Sequence, residues 1–364
     1  MLLLNCRRLH AALLTAVLAL SAGCGAPSAE ESSPPDTPTT VPSLAPSPAP
    51  RTVTPSPTIT LVAMGDLMLA RDLVTLMDRH GSMYPFERVA PILADADIAI
   101  ANLEGTFTDR GTPANKTYVF RTPPRHAVGL AVAGIDVVSL ANNHMLDYGP
   151  AGLRDTIAAL NSVGIAHSGA GENDEAARRP AVLEVRGLRV AFLSYAATGD
   201  AVAAAPGVDG VAWGTAEAIS EDVRRAIGQA DVVVVSLHAG NEYVDEPSTT
   251  QRLLAQAAVE AGATVVLGHH PHVLQRWELR GSHLIAYSLG NFVFDLDEDD
   301  LLQLGPEPFQ TVALRLSLSA GGVDNVEPVL VYIDPQENRP RPTRPAEAEA
   351  IRERIERLAG DEAP

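Results

Sequence analysis

Cysteine is almost absent from this chain of 364 residues: there are two, Cys6 and Cys24, and none follows. A fold built from the residues after Cys24 therefore has no intrachain disulfide and no thiol nucleophile. Positive charge is also scarce. Lys and Arg number 27 against 45 Asp and Glu, a formal net charge of −18. That balance argues against a nucleic-acid binder, whose footprint would be a basic stripe, and against docking on anionic lipid headgroups by charge alone. The apolar run from Leu9 to Leu20 is too short to span a bilayer comfortably. Apolar residues nevertheless make up 46% of the chain, enough for a sizeable core and too much for disorder throughout.

The amino-terminal segment is built for export. Arg7 and Arg8 precede the apolar run, and the small residues Ser21, Ala22 and Gly23 lead to Cys24, the pattern of a secretory signal. Its end resembles a bacterial lipobox, although Leu20 stands one step earlier than the usual leucine and Ser21 fills that place. Residues 1–23 are thus expected to be a signal peptide and Cys24 a lipidated amino terminus, with plain secretion as the alternative. Residues 24–58 read as a linker: ten of the 28 prolines fall between 25 and 58, mixed with Ser, Thr and Ala. Such a segment is partly polyproline II and reaches about 100 Å when extended. Removing residues 1–23 takes away Arg7 and Arg8 and no acid, so the mature chain is still more negative.

Length allows two or three domains or one large α/β domain. One domain over 59–335 is expected, followed by a Pro/Arg-rich segment and a peripheral charged helix over 345–359. Apolar runs at 59–64, 97–101, 135–140, 231–237 and 263–267 alternate with helical patterns near 126–133, 150–163, 214–229 and 248–262, which indicates α/β layering. Strand pairs at 181–186/189–195, 273–279/283–289 and 311–318/327–333 predict a second sheet packed on the first.

The apolar runs end in polar residues. They lead into Gly65-Asp66, Asn102-Leu103-Glu104-Gly105, Asn142-Asn143-His144, His238-Ala239-Gly240 and Gly268-His269-His270-Pro271-His272. Open α/β folds place ligand sites at this edge. A single strand-end Asp or Asn is commonly a turn former; five such ends sharing Asp, Asn and His chemistry point to a site. In an extended segment His270 and His272 would face the same way. The mixture of carboxylate, amide oxygen and imidazole suits Mn, Fe or Zn.

These motifs, with Asn241-Glu242-Tyr243 after His238 and Ser288-Leu289-Gly290-Asn291-Phe292-Val293-Phe294, resemble the CapA family of poly-γ-glutamate capsule-biosynthesis proteins, a branch of the calcineurin-like metallophosphatases. The resemblance covers residues 59–295 and implies a four-layer α/β/β/α sandwich with a divalent-metal site, possibly for a single ion. Asp66 matches the first ligand aspartate, Glu104 stands near the place of the bridging aspartate, Asn143 matches the ligand asparagine and His238 the lone ligand histidine. His144 matches the general acid, with Asp66 beside it in the catalytic set. The last motif is carried onto His270 and His272, with His269 as the alternative. The resemblance departs at Met68, where phosphatases have a histidine, and in Glu replacing Asp at 104.

Lys116, Arg121, Asn102 and Asn291 are the candidates for substrate binding, the two cations for carboxylates. His126 and His167 read as packing or surface residues. Three functions are expected to compete: a membrane-tethered metal-dependent hydrolase or transferase acting on an acidic polymer or peptide, alongside membrane synthase subunits; a non-catalytic scaffold or polymer-binding subunit; and a metal-independent peptide epimerase using Asp and His. The expected location is extracytoplasmic, held to the membrane by lipid.

Overall fold

A computed structural model describes residues 57–359. The expected signal peptide, Cys24 and nearly all of the linker lie outside the described residues. Among the described residues the chain walks through fourteen principal strands and seven principal helices. β1 (Ile59–Leu67), α1 (Asp72–His80), β2 (Ile98–Leu103), α2 (Ala127–Ala133), β3 (Val137–Ser139), α3 (Gly149–Ser162) and β4 (Ala166–Ser168) form the first half. β5 (Ala181–Val185), β6 (Leu188–Ala197), α4 (Ala216–Ile227), β7 (Val232–Ala239), α5 (Thr249–Ala261), β8 (Val265–His269), β9 (Trp277–Arg280) and β10 (His283–Ala286) form the second. β11 (Asn291–Val293), α6 (Glu298–Leu304), β12 (Gln310–Ser319), β13 (Gly322–Asp334), β14 (Arg339–Pro342) and α7 (Pro345–Ala359) complete it.

The strands sort into two principal sheets. The larger runs β14-β13-β12-β1-β2-β3-β4, with β11 also paired to β1, and the smaller runs β9-β10-β8-β7-β6-β5. Alternation along single strands explains the layers. Ile59, Leu61 and Ala63 of β1 and Val232 and Val234 of β7 join one core cluster between the sheets. Val62 and Met64 face the other way, packing with Leu73 and Met77 of α1, Leu130 of α2 and Leu153 of α3. Val233 and Val235 likewise meet Ile219 of α4 and Leu254 of α5. Both faces of the central strands are covered, so their sequences are continuously apolar. Each fully buried Leu, Ile or Val contributes about 1.5–3 kcal/mol. The result is the expected four-layer α/β/β/α sandwich.

Three expectations change. The hairpin β12–β13 does not enter the second sheet; β12 pairs antiparallel with β1, with Ile59 opposite Leu318 and Ala63 opposite Leu314. The fold also continues beyond residue 335, because β14 pairs with β13. Nor is the terminal helix peripheral: Ile351 and Leu358 of α7 are buried in the cluster between the sheets. Its charged sequence masked this, because Arg354 on the same buried face is only 2% exposed and pairs with Asp245.

Candidate metal centre

The carboxyl edges of β1, β2, β3, β7 and β8 meet at one place. Register sets the first contacts: Asp66 lies opposite Asn102 on one side and Asn291 on the other, and His238 lies opposite His269. The glycines before Asp66 and His269 permit the close approach of neighbouring backbone. A Cβ on Gly65 would sit 2.0 Å from the Gly290 carbonyl oxygen, and one on Gly268 1.8 Å from that of Tyr287.

Asp66 is fully buried. Its Oδ1 accepts from Asn102 Nδ2 at 2.8 Å and lies 3.2 Å from His269 Nδ1. Its Oδ2 lies 3.5 Å from His272 Nδ1. Burial alone would raise this carboxyl, but the hydrogen bonds and charges of His269 and His272 outweigh it and hold Asp66 well below its ordinary value. Glu104 is also fully buried, 3.7 Å from both His144 Nε2 and His272 Nε2. Burial pushes its carboxyl well above its ordinary value, against the pull of His272. Burial opposes charge on His272 too, yet Glu104 and Asp66 prevail and lift it to about 9.

All three histidines of the last motif enter the site, but not by the extended geometry expected. His270 has φ 95° and His272 φ 58°, left-handed conformations that cost on the order of 1–3 kcal/mol each in a non-glycine residue. The turn aims the two rings inward, with centroids 6.0 Å apart, while His270 lies 4.8 Å from His238. Burial and the charge on His272 push His270 down to about 4. Burial, aided by His270, holds His238 well below its ordinary value. Neutral His238 lies 2.9 Å from Asn143 Oδ1 through Nε2 and 3.3 Å from Asn102 Nδ2 through Nδ1.

The centre fits a divalent cation. Among the described residues, both Glu104 oxygens, His269 Nε2 and His270 Nδ1 are buried without a hydrogen-bond partner. Leaving such groups unpaired is costly. One donor atom each from Asp66, Glu104 and His272 lie within 4.8 Å of one another, and this oxygen–nitrogen set suits Mn, Fe or Zn. Met68 supplies no ligand: it is buried with Phe120, Phe294 and Phe309, and its sulfur accepts from the Ala70 amide.

Some expected substrate groups are otherwise engaged. Lys116, the only lysine in the sequence, lies 3.1 Å from Asp147 and 3.2 Å from Asp200 and donates to the Asn143 carbonyl. Asn291 is buried, its Oδ1 2.9 Å from His272 Nδ1, and its amide donates to the His272 and Pro308 carbonyls. Asn102 is buried against Asp66 and His238. All three side chains are thus engaged within the protein. Arg121 remains exposed, its guanidinium 4.7 Å from the Tyr148 ring centre. His126 is a packing residue, bonded to Ser82 and Asp78.

Sequence reading missed Asp147 and Asp200. Asp147 Oδ2 lies 2.7 Å from His144 Nδ1 and also accepts from the Phe120 amide. Its signal was its place three residues after His144. Asp200, which accepts from Asn143 Nδ2 at 3.2 Å, comes from a loop with no local signal.

The sandwich and the Asp, Asn and His centre at its strand ends define the class: an α/β/β/α sandwich protein with a candidate divalent-metal site. Within that class, the chain belongs to the family described as bacterial capsule synthesis protein PGA_cap, whose model matches residues 60–296. It is similar to the capsule biosynthesis protein CapA of Bacillus anthracis, 36% identical over 247 residues, covering 65% of this chain and 60% of that protein. It is also similar to the PGA biosynthesis protein CapA of Bacillus subtilis, 34% identical over 236 residues, covering 64% and 62%. The chain therefore spans about three fifths of the length of these relatives. Among solved structures, the NAD nucleotidase of Haemophilus influenzae aligns at a TM-score of 0.44 with 10% identity, over 84% of this chain and 56% of that one.

Proposed function

We propose that this chain is a metal-dependent hydrolase or transferase of poly-γ-glutamate synthesis, export or attachment, working outside the cytoplasm on a lipid tether at Cys24. The observation that carries the metal dependence is Glu104, a fully buried carboxyl group neither of whose oxygens is hydrogen-bonded among the described residues. Asp66, Glu104, Asn143, His238, His270 and His272 would hold the ion, with His269 against Asp66. A bound divalent ion would polarise an amide or phosphoryl oxygen and lower the pKa of bound water. Asn102 and Asn291 fix Asp66 and His272 in place. His144, steadied through Nδ1 by Asp147, presents Nε2 towards Glu104 and is the group placed to move a proton at the leaving atom. The Phe120 ring, stacked on His144 at 4.1 Å, limits its rotation.

The relatives' names, in capsule and PGA biosynthesis, support an acidic polymer as substrate. A chain of net charge −18 repels a polyanion at long range, but screening beyond about 8 Å at physiological salt leaves close contacts to decide. Exposed Arg121, next in sequence to Phe120, is suited to a substrate carboxylate. A competing reading, a non-catalytic polymer-binding subunit, is favoured by Met68 in place of a histidine. Metal analysis of the purified chain and polymer formation by cells carrying His144→Ala separate the two. Bound metal with loss of polymer, the variant remaining folded and membrane-associated, supports catalysis. A metal-free protein after loading, or full polymer yield, sinks it.

A further inference from the structure

A cleft of about 700 Å³ opens beside the centre, lined by Thr198, Asp200, Glu242, Ser248, Thr250 and His270 among others. Its walls carry charge of both signs. Glu242 is exposed in the loop after β7, and no described Lys or Arg pairs with it or lines the cleft. Ser248 and Thr250 bring the start of α5, a helix of 13 residues. Its capping box uses the Ser248 and Gln251 amides. The Thr249 and Thr250 amides stay unbonded among the described residues, at the positive end of the helix. Thr198 also lines the cleft although it is only 6% exposed, and its hydroxyl has no hydrogen-bond partner among the described residues. A buried polar group left in this state is completed by a ligand or by water.

The two charged walls are fixed to each other. Gly240 takes φ 117°, and a Cβ there would lie 2.5 Å from Oε1 of Gln251, the residue that caps α5. Gln251 Nε2 donates to Gln275 Oε1 at 2.8 Å, and Gln275 Nε2 donates to the Val244 carbonyl at 2.8 Å. The Tyr243 amide donates to the Pro271 carbonyl at 2.8 Å. The loop with Glu242 and the start of α5 are thus set before any ligand arrives, which lowers the ordering cost of binding.

A carboxylate on one wall and a helix start on another suit a zwitterion, with its ammonium at Glu242 and its carboxylate at the free amides. In a glutamate chain linked through side-chain carboxyls, every residue keeps an α-carboxylate. Only the amino-terminal residue also carries an ammonium on the same carbon. We propose that this cleft binds the amino end of such a polymer, its ammonium against Glu242 and its α-carboxylate at the first turn of α5; the proposal rests on the polymer reading above and names the part of the polymer that is recognised. Interior residues, which bear carboxylates alone, are repelled by Glu242 and Asp200. Two methylenes separate the zwitterionic head from the first amide carbon, so the bond held nearest the centre is the terminal one.

The test is calorimetric titration of the purified chain, in excess Mn²⁺, with γ-linked tetraglutamate and two altered forms. One is acetylated at its amino end. The other begins with γ-aminobutyrate, which keeps the ammonium and lacks the α-carboxylate. Each change is expected to weaken binding about tenfold or more. Glu242→Gln should erase the difference made by acetylation. Thr250→Glu, an acidic residue suited to a first helical turn, should erase the difference made by the missing carboxylate. Circular dichroism establishes that both variants fold. Equal binding of the free and acetylated forms by the wild-type chain overturns the proposal, as does discrimination that survives undiminished in Glu242→Gln. Free glutamate binding as tightly as tetraglutamate overturns the polymer end as the occupant and assigns the cleft to the amino acid. A wild-type chain that binds none of these ligands removes the cleft's role, while loss of polymer in His144→Ala cells would still uphold the polymer reading itself.

Discussion

His144 Nδ1 and Asp147 Oδ2 lie 2.7 Å apart in a pocket from which Glu104 closes the other side, its Oε1 3.7 Å from His144 Nε2. A carboxylate in this place orients the ring and sets its tautomer. Asp147→Asn should leave metal content intact and lower the rate of polymer processing about a hundredfold or more. Parallel metal analysis and polymer assays check it; loss of metal would assign Asp147 to the ligand set instead.

Metal should stabilise the fold in proportion to its affinity. At a hundredfold excess over Kd, a ligand bound only by the folded state contributes about 2.7 kcal/mol. Calorimetry should show Tm rising when Mn²⁺ or Zn²⁺ is added and falling with a chelator. Most of that rise should disappear in Glu104→Gln, which replaces a charged donor by a neutral amide of the same shape.

Backbone crowding behind the ligands makes a second kind of prediction. Gly268→Ala would drive a Cβ into the Tyr287 carbonyl. Overpacking of this kind costs about 1–3 kcal/mol, and here the strand carrying His269 must shift. Denaturant titration of the metal-free protein should show a lower midpoint, and metal affinity should fall with it.

Acid should loosen the carboxyl-terminal helix. Arg341 holds Glu347 in a two-pronged pair at 2.7 and 2.8 Å, and Asp334 at 2.7 Å. The hydrogen bond from Arg341 lowers the Glu347 carboxyl. For Asp334 burial works the other way, but the hydrogen bond from Arg341 outweighs it and the carboxyl is again lowered. Both groups therefore contribute stability above their unfolded values of about 4, and that stability is lost as pH falls through the lower folded values. Hydrogen exchange should show α7 opening below about pH 4 before the central strands do; simultaneous opening would deny the pair this role.

The proposed tether gives a cellular prediction. Cys24→Ala should move the protein from the membrane fraction to the medium while leaving metal binding by the purified chain unchanged. Retention in the membrane would assign anchoring to something other than Cys24.

The strands that carry the ligands were legible because burial on both faces makes them short apolar runs that stop at Gly65-Asp66 or Gly268-His269. Their convergence followed from a rule about strand ends. What was not legible depended on long-range pairing. Nothing local says that Gln310–Ser319 lies beside Ile59–Leu67, and an alternating pattern suits either sheet. The left-handed turns at His270 and His272 run against the preferences of those residues, so local propensity predicts an extended segment instead. Lys116 read as a free cation because its partners Asp147 and Asp200 come from other parts of the chain. Asp200 is hidden for the same reason, whereas Asp147 sits three residues after His144, the partner that its carboxylate meets.

The pairing of Ile59 with Leu318 sets an order of assembly. The strand that carries Asp66 gains its antiparallel neighbour only from a segment some 250 residues later in the chain. Contacts this distant in sequence slow folding. An emerging chain thus has its first candidate ligand long before the antiparallel neighbour of β1 exists, and the candidate ion pocket should be among the last parts to close. Under the proposed export, a chain assembled in this order would cross a translocation pore unfolded and without the proposed ion, and acquire both its shape and that ion on the far side.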